Sequence, residues 1–129
     1  MAERISLEIP ATLDALSTLR MVMGGLVMRL EFSIDDLDDL SMAAGEVLRT
    51  ALVDDPLDRL LVDVDVEDGQ LRFTAGRFRS ARLRGEITVR SEECLDLCRV
   101  LSSTVDEVEL EESEGYFRVV LVKRRGSAA

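Results

Sequence analysis

The chain has 129 residues, 47% of them apolar and 33% charged, with a formal net charge of −10 and no histidine. That is an ordinary globular mix of single-domain length, able to bury roughly two thirds of its unfolded surface without a covalent staple. The charge argues against a general nucleic-acid binder. The missing histidine excludes Ser-His-Asp and Cys-His catalysis, and no apolar run nears the roughly 20 residues that span a bilayer.

The chain opens Met-Ala-Glu-Arg, with no secretory-leader pattern, and enters a strand in which Ile5, Leu7 and Ile9 alternate with Arg4, Ser6 and Glu8. Pro10 ends it. Leu13, Leu16, Leu19, Met23, Leu26, Val27 and Leu30 then recur at helical spacing, predicting one amphipathic helix over residues 11–30, weakened at Gly24-Gly25. Ser33 reads as an N-cap, with Asp36 closing a short capping box and Asp35 and Asp36 on the positive end of the dipole. The second helix presents Leu37, Leu40, Ala44, Val47, Leu48 and Ala51 inward, and Asp54-Asp55-Pro56 breaks it.

A hairpin follows. Leu60, Val62, Val64 and Val66 alternate with Leu61, Asp63 and Asp65, Asp68-Gly69 is the turn, and Leu71, Phe73 and Ala75 return. Asp63 and Asp65 share one strand face and read as the wet side of a sheet. Leu83, Ile87 and Val89 are read as a short strand or a loop. Ser91 caps a third helix containing Leu95, Val100 and Leu101. A strand begins at Val105, Val108 and Leu110, and Glu114-Gly115 turns into a last strand through Phe117, Val119 and Leu121. The pattern predicts an α+β fold. It is a two-layer sandwich of a mixed, mostly antiparallel sheet with three helices on one face, forming a single domain over residues 1–124 with a tail at 125–129.

Two charge clusters stand out: Asp35, Asp36, Asp38 and Asp39, and then Arg72, Arg77, Arg79, Arg82, Arg84 and Arg90 with Glu86 among them. Each reads as a solvated face or, more sharply, as a docking surface for a protein. Cys94 and Cys98 read as two small buried apolar residues rather than zinc ligands, with a redox pair as the other reading; no metal site is expected. There is no Walker A or Rossmann glycine pattern.

The stretch SIDDLDDLSMAAGEVLRTAL at residues 33–52 resembles the N-box helix of the histidine-kinase-like (GHKL) ATPase family, in its anti-sigma-factor serine kinase branch. Asp39, Leu40, Met42, Ala43, Glu46 and Ala51 fall on the pattern. Leu19-Arg20 and the ending from Val105-Asp106-Glu107-Val108 to Val122-Lys123 are similar to that branch too. The resemblance implies the Bergerat fold, a cytoplasmic location, a homodimer, and a sigma factor or a STAS-type anti-sigma antagonist as partner. It also implies an ATP/Mg site whose positions depart from the pattern here. Thr50 stands for the metal-holding asparagine, Arg77 and Arg79 for the aspartate and first glycine of the adenine box, Cys94 and Asp96 for the glycines of the phosphate box, and Tyr116 for a threonine near the last strand. A cationic arginine cannot accept from an amino group, and arginine fills room that glycine leaves open. Glu46 stands where the family has its general base and is a vestigial catalytic candidate.

The expectation is therefore a non-catalytic anti-sigma-like regulator without a cofactor, working by partner switching. Arg20 would contact the partner, and Arg77, Arg79, Arg82 and Arg84 would form a positive docking surface in place of an ATP lid. The alternatives are an active serine kinase of an antagonist, using ATP and Mg²⁺, and a scaffold that kept only the fold.

Overall fold

The computed structural model describes residues 3–88 and 96–125. Its strands are β1 (Glu3–Pro10), β2 (Arg59–Glu67), β3 (Gln70–Phe78), β4 (Glu107–Ser113) and β5 (Tyr116–Arg124). Its helices are α1 (Leu16–Arg29), α2 (Ile34–Leu52), α3 (Ala81–Thr88) and α4 (Asp96–Thr104). The strands form one sheet in the order β1-β2-β3-β5-β4. Every pairing is antiparallel, from Glu3 opposite Val66 and Pro10 opposite Arg59 at one side to Glu107 opposite Val122 at the other. The expected α+β sandwich is present, but among the described residues the sheet holds no parallel pair and the helices number four rather than three.

The extra helix is α3, in the stretch read as a strand or a loop. Leu83 and Ile87, four apart, turn to the same core, and Leu83 is fully buried. The Ser80 hydroxyl accepts from Leu83 N at 2.9 Å and acts as the cap. The third helix was placed from Ser91, which lies outside the described residues; the described helix, α4, begins at Asp96. The first helix begins later than expected, because a 3-10 turn at Leu13–Ala15, capped by Thr12, precedes it. Gly24 and Gly25 sit inside α1 without ending it. Ser33 and Asp36 make the predicted reciprocal capping box on α2, both bonds 3.0 Å. Val105 falls between α4 and β4 rather than in the strand.

One face of the sheet packs on the helices. Leu60, Val62, Val64, Leu71, Phe73, Phe117, Val119 and Leu121 share a core with Leu19, Met23, Leu40, Val47 and Leu48. The other face is polar, and Asp63 and Asp65 lie on it as expected, taking Ser6 and Arg4 as partners. Arg72 and Arg118 lie on it beside Glu109 and Glu111, around Val120 and Val122, which are fully buried. β3 and β5 shift register between Ala75 and Phe78. Gly76 sits in that irregularity because a Cβ there would lie 2.7 Å from Arg118 Cγ and 3.2 Å from the Phe117 carbonyl oxygen.

Candidate functional site

The second helix carries the family-like residues, and its C-terminal half forms one wall of a cleft of about 310 Å³. Glu46, Arg49, Thr50 and Val53 line that wall, with Arg82 and Glu86 of α3 and Leu97 of α4 opposite. The volume is within the range of small-molecule sites. The walls are charged in both signs, and the charges are paired along their own helices. Arg49 Nη1 donates to Glu46 Oε1 at 2.6 Å, three residues apart, and Arg82 Nε stands 3.5 Å from Glu86 Oε2, four apart. The Thr50 hydroxyl donates back to the Glu46 carbonyl at 2.8 Å. The Glu86 side chain is 12% exposed, and its Oε2 accepts no hydrogen bond among the described residues.

The loop after β3 is held by Asp54 and Asp55, which the sequence presents only as a helix breaker. Asp54 accepts from the Ser80 hydroxyl and, at 3.0 Å, from Arg82 N, while Asp55 accepts from Arg79 N at 2.7 Å. The Ser80 hydroxyl and then the Arg82 N–H hold the Asp54 carboxyl below its ordinary value. A carboxylate of the same chain thus sits at the first turn of α3. The Asp-Asp pair ahead of Pro56 was the only signal for this contact, and it does not say that residues 24 to 28 positions onward would receive it.

The other expected site residues disperse. Glu46, Thr50 and Arg82 meet at the cleft. Arg77 is exposed at the end of β3, its guanidinium 5.3 Å from the Tyr116 ring centre, and it lines a groove on the polar sheet face with Arg118. The Arg79 side chain is exposed. Arg84 pairs with Glu112 and stacks 4.5 Å from the Phe117 ring centre. Arg20 lies on α1, 2.5 Å from Asp38. Cys94 lies outside the described residues, and Asp96 opens α4. Cys98, read as a small buried apolar residue with a redox role as the other reading, is half-buried and disulfide-bonded, which departs from the first reading. The buried side of α4 runs through Leu97, Leu101 and Thr104, which leaves Cys98 on its flank.

Lys123 forms a second charged cluster that sequence reading missed, because a lone lysine near a chain end looks solvated. It is 5% exposed, donates to Asp39 Oδ2 at 3.0 Å and to the Thr104 carbonyl at 2.9 Å, and stands 3.9 Å from the buried Asp36. Among the described residues no group of three or more acidic, cysteine or histidine side chains is placed to hold a metal ion, and no helix is long and apolar enough to cross a membrane.

No protein-family model and no curated protein sequence matches the chain. A solved structure does: the crystal structure of the RsbU and RsbW domains of Rv1364c from Mycobacterium tuberculosis, with a TM-score of 0.66 and 16% identity over 95% of this chain. The match covers 32% of that protein's chain. At this identity the likeness establishes the fold: the antiparallel sheet with its helical layer is an RsbW-like, GHKL-type α+β fold.

Proposed function

We propose that the chain is a regulator of the anti-sigma type that acts by binding partner proteins and not by phosphoryl transfer. The observation that carries this reading is the commitment of the two α2 side chains on which a kinase would depend. The Glu46 carboxylate is engaged by Arg49 Nη1 at 2.6 Å, a pair that must open before it can meet a substrate hydroxyl. The Thr50 hydroxyl spends its proton on the helix backbone. The donor set also suits Mg²⁺ poorly, since hard cations take free carboxylates and carbonyls, and both cleft carboxylates, Glu46 and Glu86, stand against arginines. The fold likeness and the acidic charge support partner switching with a sigma factor, a STAS-type antagonist, or both, as a cytoplasmic homodimer. In this reading the exposed Arg20–Asp38 pair on the α1–α2 surface and the exposed Arg77 and Arg79 face the partner, while Arg82 and Arg84 serve mainly their own acids.

The test is a thermal melt with and without Mg-ATP. A ligand at 100 times its Kd would add about 2.7 kcal/mol of stability; the expected result is no shift. Capture of a sigma factor or an antagonist from the native host by the tagged chain is the matching positive result. A capture that returns neither would favour a scaffold.

One observation favours a second reading, an active serine kinase: the cleft beside α2 is open, at about 310 Å³. Saturable Mg-ATP uptake, followed by label transfer from the γ-phosphate to a serine of an antagonist, would establish it.

A further inference from the structure

The groove on the polar sheet face measures about 370 Å³ and is separate from the α2 cleft. It crosses four strands, from Glu8 on β1 through Leu61 on β2 and Thr74 and Arg77 on β3 to Arg118 on β5. Glu8 lies opposite Leu61, and Leu61 opposite Gly76, so these residues form one row across the sheet. Arg77 reaches this face because of the register shift in β3. Ala75 and Phe78 both join the core, and the strict alternation that would send Arg77 inward with Ala75 is broken between them.

Three of the groups that line the groove are uncommitted. Thr74 is only 7% exposed, yet its hydroxyl makes no hydrogen bond among the described residues. A buried hydroxyl without a partner is costly, and native folds seldom keep one without a use. The Arg77 guanidinium has no ion pair or hydrogen bond among the described residues. It stacks on the Tyr116 ring, 5.3 Å from the centre, which occupies its face and leaves its N–H groups unspent. Glu8 has Arg59 as its nearest cation, at 3.6 Å, beyond hydrogen-bond reach. The other polar groups are engaged: Ser6 donates to Asp63 at 2.5 Å and Arg118 to Glu111 at 2.5 Å. Between the free anion and the free cation lies Leu61, a half-buried apolar side chain in a charged row.

We propose that this groove binds a small zwitterion whose ammonium and carboxylate are joined by an apolar stem, an ω-amino acid in chemical class. Arg77 takes the carboxylate with its fork of N–H donors, the Thr74 hydroxyl donates to the same group, Glu8 accepts from the ammonium, and the stem lies on Leu61. Both charges of the ligand are met, and each uncommitted group gains a partner. β1 and β3 stand two strand spacings apart, about 9.5 Å. An α-amino acid, whose two charges share one carbon, is too short to reach both ends. The groove volume is that of a small-molecule site. The proposal does not rest on the anti-sigma reading, which gives Arg77 to a protein partner.

The test is titration of the isotope-labelled full chain with ω-aminohexanoate, followed by amide chemical shifts. Saturable shifts are expected at Leu61, Thr74 and Gly76. Hexanoate and hexylamine, each lacking one charge, should bind at least about tenfold more weakly, and glycine should shift none of these amides. Glu8→Gln should bring the zwitterion down to the affinity of hexanoate, and Arg77→Gln to that of hexylamine. Thr74→Val keeps the shape of the side chain and removes the hydroxyl. It should weaken binding and melt no lower than wild type, because that hydroxyl has no partner in the fold to lose. A threonine with a merely structural role would do the reverse. The proposal is overturned by an absence of saturable shifts, by an affinity for the zwitterion no greater than for either half, or by a Thr74→Val protein that melts lower and binds normally. A sigma factor or an antagonist enters none of these measurements, so their outcome is independent of the proposed function.

Discussion

Asp54 shows what a single residue does here that its neighbours in sequence do not reveal. Its carboxylate accepts from the Ser80 hydroxyl and the Arg82 amide, and both favour the charged form, so its folded pKa lies below the ordinary 3.8. The unfolded chain therefore binds the proton more readily in acid. The stability Asp54 contributes is complete above pH 3.8 and is lost as the pH falls through the folded value. Asp54→Asn is expected to melt at lower temperature than wild type at neutral pH and to lose less on acidification below that value. Melts of both proteins across the acid range check this; parallel curves would show that Asp54 adds nothing. The site is only half legible at this scale. Glu46 and Thr50 could be picked out because their helix was recognisable, but their hydrogen bonds to Arg49 and to the helix backbone depend on rotamers that no spacing rule fixes.

At the scale of elements, helices and strands with a strong local period were readable. The α2 capping box and inner face, the β2–β3 hairpin with its Asp68-Gly69 turn, and the alternation of β1 were all present in the sequence pattern. α3 was not, because Leu83, Ile87 and Val89 fit a strand as well as a helix. The choice was made by Ser80 and by Asp54, which reaches Arg82 N from 28 residues away. Lys123 ties three elements together, joining β5 to the first turns of α2 and to the C-terminal carbonyls of α4. Such a group is costly to orphan. Lys123→Met should lower stability by about 3 kcal/mol, since it leaves the buried Asp36 without its cation and the Thr104 carbonyl without its donor. Asp39→Asn should cost less, because that carboxylate is one-third exposed and Lys123 keeps the Thr104 carbonyl. Urea unfolding of the two variants separates them; equal losses would refute the ranking.

For the whole molecule, the strand order determines where stability concentrates. β3 and β5 are internal and paired on both sides, whereas β1 and β4 are the outer strands. Native-state hydrogen exchange should therefore be slowest at the core-facing Phe73, Val119 and Leu121 and faster along β4. Exchange in β4 as slow as in β5 would contradict this. The sequence by itself determined the class, α+β with helices on one face of a sheet, together with the caps, turns and buried stripes, since these follow from contacts within a few residues along the chain. Only the tertiary structure decided that β5 inserts between β3 and β4, that the sheet is antiparallel throughout, that a fourth helix forms, and which side chains meet at the cleft. Those outcomes turn on groups tens of residues apart being brought within hydrogen-bond reach, and periodicity in one segment carries no information about its distant partner.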